Sequence, residues 1–474
     1  MQTAEFVTLP FFFRHLDNRN SYILTNQAGA FTFLENANVL KNVIHGNWSS
    51  LSSNTLDELL AKNFISEANE FDARKILIGS RFASVLKNNI TEPSLFIVIP
   101  TLRCHHDCHY CQVSRVPINK KGFDLSRSNI THILGIIGST KSSSIKIEFQ
   151  GGEPLLSKEF IQNFVQESKR RLSEKEVSFV ICTSLTDIND SFLSWAKVND
   201  ITFSVSLDGH EMLHNLNRPS SLFNTYKIAT RNIQTLFDSI GKDSVSCLTT
   251  ITKDSFSYVD EIIKTYIDMG LNSIFLRPLS PFGFSYLKMD SLSYTAYEYF
   301  EFYKHALDKI IALNENLYFV EETALIHLNK IFRPFHSGYV DLRSPAGYAL
   351  GALVFNYDGN IFGSDEARML YRITHNEELV IGKIGADESF FNHETTHKLL
   401  SDSFISCTPG CDDCAYQPYC GADPLHHLST QGDHVGNKAN SFFCKLETLI
   451  YDHLFDLYNN DTRTREVFDK WLSR

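Results

Sequence analysis

Leu95-Phe-Ile-Val-Ile99, followed after four intervening residues by Cys104-His-His-Asp-Cys108-His-Tyr-Cys111, decides how this chain is read. An unbroken apolar run of five residues fits a strand buried on both faces, as in a parallel sheet. The three thiols then fall in the loop at its carboxyl end, where parallel α/β barrels keep their active sites. Spaced four and three residues apart, they can each ligate one iron of a 4Fe-4S cube and leave the remaining iron open to a substrate or cofactor. With His105, His106 or His109 as a further ligand, the same thiols could instead close a tetrahedral zinc site. The cysteines alone leave both readings open.

Outward from this stretch, Ile145-Lys-Ile-Glu-Phe149, Ser178-Phe-Val-Ile-Cys182, Thr202-Phe-Ser-Val-Ser206, Val245-Ser-Cys-Leu-Thr-Thr-Ile251 and Ser273-Ile-Phe-Leu276 read as further strands. Their spacing of roughly 25 to 50 residues leaves room for one crossover helix each. Six strands alternating with amphipathic helices predict an α/β fold whose parallel sheet curls into a partial barrel, because right-handed crossovers lay successive strands side by side. Gly151-Gly-Glu-Pro154 stands at the end of the second strand. Its glycines let backbone come close to a ligand, and the neighbouring carboxylate can accept from an ammonium group. Cys182 and Cys247, inside strands, read as buried core thiols.

Three domains are expected. In residues 1–85, Ser21 to Thr25 and Ala30 to Leu34 flank Asn26 to Gly29 as a β-hairpin, and Leu51 to Ile65 has helical spacing with Asn54 and Thr55 as candidate caps. Residues 86–335 carry the barrel. Residues 336–474, richer in Gly, Asp and Cys, read as a loop-dominated domain organised by metal. With 474 residues, 43% of them hydrophobic, the chain is neither disordered nor fibrous. Its formal charge of -11 comes without any block of like charge that would track a phosphate backbone, so nucleic acid is not an expected partner. The best apolar run, Leu95 to Ile99, falls far short of the ~20 residues that span a bilayer. Met1 to Asp17 carries Glu5 where a signal peptide is basic. No membrane association and a cytoplasmic location are therefore expected. Eight of the ten cysteines fall in two groups, Cys104/Cys108/Cys111 and Cys407/Cys411/Cys414/Cys420/Cys444, which is the clustering of metal ligands in a reducing compartment.

The cysteine motif and Gly151-Gly-Glu-Pro154 together resemble the radical S-adenosylmethionine superfamily. The resemblance implies that Cys104, Cys108 and Cys111 hold a 4Fe-4S cluster whose open iron chelates the methionine moiety of S-adenosylmethionine (SAM), and that Tyr110 packs near the adenine. It implies that Gly151, Gly152 and Glu153 receive the methionine ammonium, and that Ser184, Ser206 and Arg218 contact ribose and carboxylate. The structural alternative for these last three is helix capping or a satisfied loop. The implied chemistry is removal of a hydrogen atom from an unactivated carbon by a 5'-deoxyadenosyl radical, with an electron donor such as flavodoxin or ferredoxin as partner.

Cys411-x2-Cys414-x5-Cys420 with Cys444 supplies four thiolates, enough for a structural zinc or a complete 4Fe-4S cluster. The spacing resembles the SPASM extension of radical maturases, which implies an auxiliary 4Fe-4S cluster on these residues. Three thiolates of that family's other auxiliary cluster are missing: Ser364 and Pro424 stand at two of the positions, and Arg343 to Tyr348 contains no cysteine. Either that cluster is absent, the favoured reading, or Cys407 and Tyr348 hold it. Asp365 follows the Ser364 position, where sulfatase-maturing relatives carry a proposed catalytic base; its alternative is a solvated loop carboxylate paired with Arg368. Leu9-Pro-Phe-Phe-Phe-Arg14, Ile147 to Pro154, Ser273 to Ser280, Asp365-Glu-Ala-Arg368 and Pro409-Gly-Cys through Pro424 resemble the His-Xaa-Ser-system branch of peptide maturases. That similarity implies a ribosomally made precursor peptide with a leader, which residues 1–85 would bind as an added strand. Maturation of a folded protein, as in sulfatase maturases, and a non-catalytic metal scaffold are the alternatives.

Overall fold

The computed structural model describes residues 5–16, 20–288, 292–333, 339–386 and 390–474, so the expected boundary at 335/336 lies outside the described residues. Five short strands open the chain: β1 (Phe6–Thr8), β2 (Phe12–Leu16), β3 (Ser21–Thr25), β4 (Phe31–Leu34) and β5 (Ile65–Glu67). β2, β3 and β4 form an antiparallel meander, and β1 pairs antiparallel with β5. The β3–β4 hairpin forms where the pattern places it. Asn26 builds its turn, Oδ1 accepting from the N–H groups of Ala28 and Ala30 at 3.1 and 3.2 Å. A helix over Ala37–His45 follows the hairpin, and the one expected over Leu51 to Ile65 is shorter than its periodicity, Ser53–Ala61, and is capped by Ser52 rather than by Asn54 or Thr55; Ile65 belongs to β5. A helix over Phe71–Asn89 runs through the expected boundary at 85/86.

All six expected parallel strands are present. They are β6 (Leu95–Thr101), β9 (Ser144–Gly151), β10 (Glu176–Thr183), β11 (Ile201–Ser206), β12 (Val245–Thr250) and β13 (Ser273–Arg277), neighbours in that order in one sheet. Between the first two, β7 (Arg103–Cys104) and β8 (Val116–Pro117) pair briefly and fold the cysteine loop back on itself. Strand parity sorts the side chains. Ile145, Ile147, Phe149, Ile181, Phe203 and Val205 are buried in the core, while Lys146, Glu148, Gln150, Cys182, Ser204 and Ser206 face a shared interior cavity.

The C-terminal region is less loop-like than its composition predicts. β14 (Val320–Glu321) extends the sheet beyond β13, and β15 (Ala352–Phe355) adds parallel to β6, followed by antiparallel β16 (Asn360–Phe362) and β17 (Gly382–Lys383). Ala352-Leu-Val-Phe355 is buried along its whole length, and an apolar run of four residues carries no period by which to recognise a strand. No helix among the described residues is long and apolar enough to cross a membrane.

The first and last parts of the chain share a core. Leu16 and Ile23 pack in one cluster with Ile331, Tyr416, Tyr419, Tyr451 and Phe455, and the Phe31 and Phe455 rings meet edge-on at 5.1 Å. Arg14 grips Asp452 through Nε and Nη2 at 2.6 and 2.7 Å. The Thr25 hydroxyl donates to the Ala415 carbonyl at 2.6 Å. Ile23→Ala should therefore destabilise the C-terminal region by about 3 kcal/mol, as a deleted core side chain does. Denaturant unfolding followed by fluorescence of the C-terminal Trp471 checks this; an unchanged midpoint there would make residues 1–85 an independent unit.

Candidate active site

Backbone contact brings the two sequence motifs together. The Gly152 N–H donates to the Thr101 carbonyl at 2.9 Å and the Glu153 N–H to the Arg103 carbonyl at 2.8 Å. A Cβ on Gly151 would lie 2.3 Å from the Thr101 oxygen, and one on Gly152 2.4 Å from the oxygens of Leu102 and Arg103. The glycines are thus required by the chain's own close approach as well as by any ligand. Glu153, expected to receive an ammonium, is fully buried, and both its oxygens are engaged. Oε1 accepts from the Thr183 hydroxyl at 2.6 Å and the Leu155 N–H at 3.1 Å, and Oε2 from the amide (2.9 Å) and hydroxyl of Ser184. Glu153 ties the end of β9 to the end of β10, and Gly151, Gly152 and Ser184 form the cavity wall beside it.

That cavity has a volume of about 1180 Å³ and is lined by Cys104, Cys108, Tyr110, Cys111, Gly151, Gly152, Ser184, Ser206, Arg218 and Asp365. Tyr110 and Arg218 are joined through a residue that the sequence reading passed over. The Tyr110 hydroxyl donates to Asp208 Oδ2, Arg218 Nε donates to the same oxygen at 2.9 Å, and the guanidinium lies 5.2 Å from the centre of the Tyr110 ring. Asp208 Oδ1 accepts from the Thr250 N–H at 3.2 Å, anchoring the group to β12. Burial opposes the charge of Arg218, and Asp208 together with Tyr110 and Cys108 more than offsets it. An Asp directly after a strand was legible only as a possible cap, so nothing in the sequence singled out this one.

The thiols suit metal coordination. All ten cysteines are free. Burial pushes Cys108 up to about 12 and raises Cys104 and Cys111, so deprotonating all three calls for a bound cation. Backbone donors are already aimed at sulfur: the His106 N–H lies 3.4 Å from Cys104 Sγ, and the N–H groups of Val113, Ser114 and Arg115 surround Cys111, helped by the left-handed conformation of Ser114 (φ 52°). Among the described residues no three His, Cys, Asp or Glu side chains converge closely enough to hold one metal ion. His106 lines the same cavity; burial pulls it down to about 3, so it stays neutral, and among the described residues neither ring nitrogen has a hydrogen-bond partner.

Two readings change. Cys182 is not a core thiol: strand parity turns it into the cavity, about 4.0 Å from Glu148 Oε2, whereas Cys247 is buried in the core as expected. Asp365 is not on a solvated loop. It opens the helix Asp365–Thr374, capped by Ser364, and its Oδ1 accepts from Nε of the fully buried Arg368 at 2.6 Å. The expected internal pair exists, but within the cavity wall.

Cys411, Cys414, Cys420 and Cys444 line a second, separate pocket. Burial raises all four thiols, Cys411 to about 11, and the Tyr416 N–H points at Cys414 Sγ at 3.4 Å. Tyr348 is buried elsewhere, its hydroxyl donating to the Leu379 carbonyl at 3.3 Å, and Cys407 is exposed.

The Radical SAM superfamily model matches residues 98–274, the stretch that holds this cavity. Residues 98–274 form a radical SAM domain. Its cofactors are a 4Fe-4S cluster and SAM. A cysteine-type anaerobic sulfatase-maturating enzyme of Clostridium novyi is 29% identical over 185 residues, 36% of this chain and 47% of that protein. An uncharacterized protein of Methanocaldococcus jannaschii is 27% identical over 190 residues, 38% and 61% of the two chains. The chain thus spans about half to three fifths of the length of these curated relatives. In fold, it is similar to native anSMEcpe with bound AdoMet (TM-score 0.66, 17% identity, 79% of this chain and 99% of that one). It is also similar to Streptococcus suis SuiB bound to precursor peptide SuiA (TM-score 0.53, 15% identity, 91% and 98%).

Asp208→Asn should weaken SAM binding at least tenfold and destabilise the radical SAM domain by about 3 kcal/mol, because it leaves Arg218 buried without its counter-charge. Equilibrium binding and denaturant unfolding measure the two effects; unchanged SAM affinity would show that the Tyr110–Asp208–Arg218 group does not shape the cofactor site.

Proposed function

We propose that this chain is a radical SAM enzyme that removes a hydrogen atom from a side chain of a ribosomally synthesised precursor peptide and so installs an intramolecular bond. The observation that carries the reading is one cavity with Cys104, Cys108 and Cys111, the Gly151–Gly152 wall and Asp365 all on its surface. Cys104, Cys108 and Cys111 hold the cluster. When bound, cluster and SAM supply the 5'-deoxyadenosyl radical. Gly151, Gly152 and Ser184 shape the wall against which the methionine end lies. Tyr110, Ser206 and Arg218 bound the nucleoside side, with Asp208 fixing two of them. Cys411, Cys414, Cys420 and Cys444 hold one auxiliary 4Fe-4S cluster. Cys407 and Tyr348 hold none, since Tyr348 is already a donor to a carbonyl and burial raises its hydroxyl further.

Asp365 is the proposed catalytic residue, taking a proton from the substrate or orienting it. Oδ1 is held by Arg368, and among the described residues Oδ2 takes no hydrogen bond. Asp365→Asn should leave deoxyadenosine formation intact and lower modified product about 100-fold or more, the usual scale for a lost proton-transfer group. Unchanged product yield by mass spectrometry would return Asp365 to a structural role.

For a peptide substrate, support comes from the fold likeness to SuiB, solved with its precursor peptide, which extends over 91% of this chain. The outer edge of β2, which among the described residues pairs only with β3 and carries the half-exposed Phe13, is the place where a leader could add as a strand. A His-Xaa-Ser-type precursor is the finer reading, resting on the sequence resemblance, and flavodoxin or ferredoxin is the proposed reductant. The second reading, maturation of a folded protein, is favoured by the similarity to sulfatase-maturating enzymes. Co-expression with the short open reading frame beside its gene, followed by mass spectrometry of the peptide, separates the two; an unmodified peptide beside a modified sulfatase would decide for the second.

Iron content tests the cofactor assignment. The reconstituted chain should bind about eight irons, two cubes of about four each. Cys104→Ala/Cys108→Ala/Cys111→Ala should bind about four and form no deoxyadenosine. About twelve irons in the unaltered chain would restore a second auxiliary cluster.

A further inference from the structure

Three cationic side chains act on the second set of cysteines, and they come from three parts of the chain. Arg14, on β2, is committed to Asp452. Lys438 lines the pocket and donates to the Val435 carbonyl. Lys330, on the helix Glu322–Phe332, is the exception. It is only 7% exposed, and the adjacent Ile331 lies in the apolar cluster against which Cys414 and Cys420 pack, yet among the described residues its ammonium has neither a hydrogen-bond acceptor nor a carboxylate; the charged neighbours that act on it are Cys420 and Arg343. Glu447, the carboxylate that lines the cysteine pocket, does not answer it either. Glu447 Oε2 accepts from His327 Nε2 at 2.8 Å, and this contact favours a protonated His327 against the burial that opposes it.

A buried ammonium with no counter-charge is among the least favourable arrangements a fold can hold. The missing charge would come from Cys420 and the thiols grouped with it. As thiolates around a 4Fe-4S cube, Cys411, Cys414, Cys420 and Cys444 leave the assembly net negative, and one added electron makes it more so. A fixed positive charge beside it lowers the free energy of the reduced form more than that of the oxidised form.

We propose that Lys330 is the built-in counter-charge of the second cysteine centre and raises the potential at which a cluster there accepts an electron. Lys330 acts through the cluster and touches no substrate. Its helix packs against β13, whose Phe275 and Arg277 line the large cavity. The proposal rests on the reading that these four thiols hold a cluster.

The test uses the full chain with Cys104, Cys108 and Cys111 replaced by Ala, so that only the second centre is observed. If this background binds no iron, the cluster reading fails without reference to Lys330. With about four irons bound, the midpoint potential is measured by redox titration with EPR detection. Lys330→Met should shift it negative by at least ~59 mV, the equivalent of a tenfold change in the one-electron equilibrium. Lys330→Arg should leave it nearly unchanged. An unchanged midpoint in the Met variant overturns the proposal. Should the Met variant bind no iron, Lys330→Gln takes its place with the same two outcomes. Loss of iron from both uncharged variants but not from Lys330→Arg supports the counter-charge; loss from all three overturns it in favour of a packing role.

Discussion

The site depends on a contact between two pieces of backbone. Thr101 to Arg103, leaving β6, press against Gly151 and Gly152, leaving β9, so closely that no side chain fits between them. Because β6 and β9 are sheet neighbours, the sheet delivers these two exits to the same end, and the absent Cβ atoms let them touch. The cysteine loop is set at a fixed height above the barrel as a result. Glu153 then locks the next exit, from β10, and Asp208 the exit from β11, so that four consecutive strand ends form one rigid rim. Rigidity of this kind is what radical chemistry requires of a protein, whose contribution is orientation and the exclusion of side reactions.

The fold was legible because each of the six parallel strands is a short apolar segment between helices of clear period, and a parallel sheet tolerates few other arrangements. The first cysteine set stood out by its spacing, but only together with Gly151-Gly-Glu-Pro154 did it point to a cluster rather than zinc. Less legible were residues whose role depends on partners far away in the chain. Asp208 matters because Tyr110 and Arg218 meet on it, and no local pattern marks such a meeting. Cys182 could have been placed by counting parity from Ser206's counterpart positions in the neighbouring strand; reading it as core assumed that every residue of a barrel strand faces outward. β15 escaped for a different reason. Its four buried residues owe their strand conformation to the edge of β6, a tertiary cause that a four-residue window cannot contain.

The treatment of charge differs between the two cysteine sets. Around the first, Arg218 is paired with Asp208 and Arg115 with Asp107, so the cations there are already answered within the protein. Around the second, Arg14 is paired with Asp452, whereas Lys330 has no counter-charge among the described residues. An apolar cluster that includes Tyr416, Tyr419 and Tyr451 closes over this second set, and part of its cover is the sheet of residues 12–34. Residues from a distant part of the chain thus pack in the same cluster as Cys414 and Cys420.

That joint core has a consequence for synthesis. Ile23 leaves the ribosome long before Phe455, and at roughly 5–20 residues per second the interval is on the order of 20–90 s. During that time the meander of β2, β3 and β4 has formed locally, while the face that will meet Tyr416 and Phe455 stays open to solvent. The barrel strands emerge, pair and close in the meantime. An apolar sheet face thus waits for its partners through most of the synthesis of these residues, and a chaperone that shields such faces should raise the yield of folded protein.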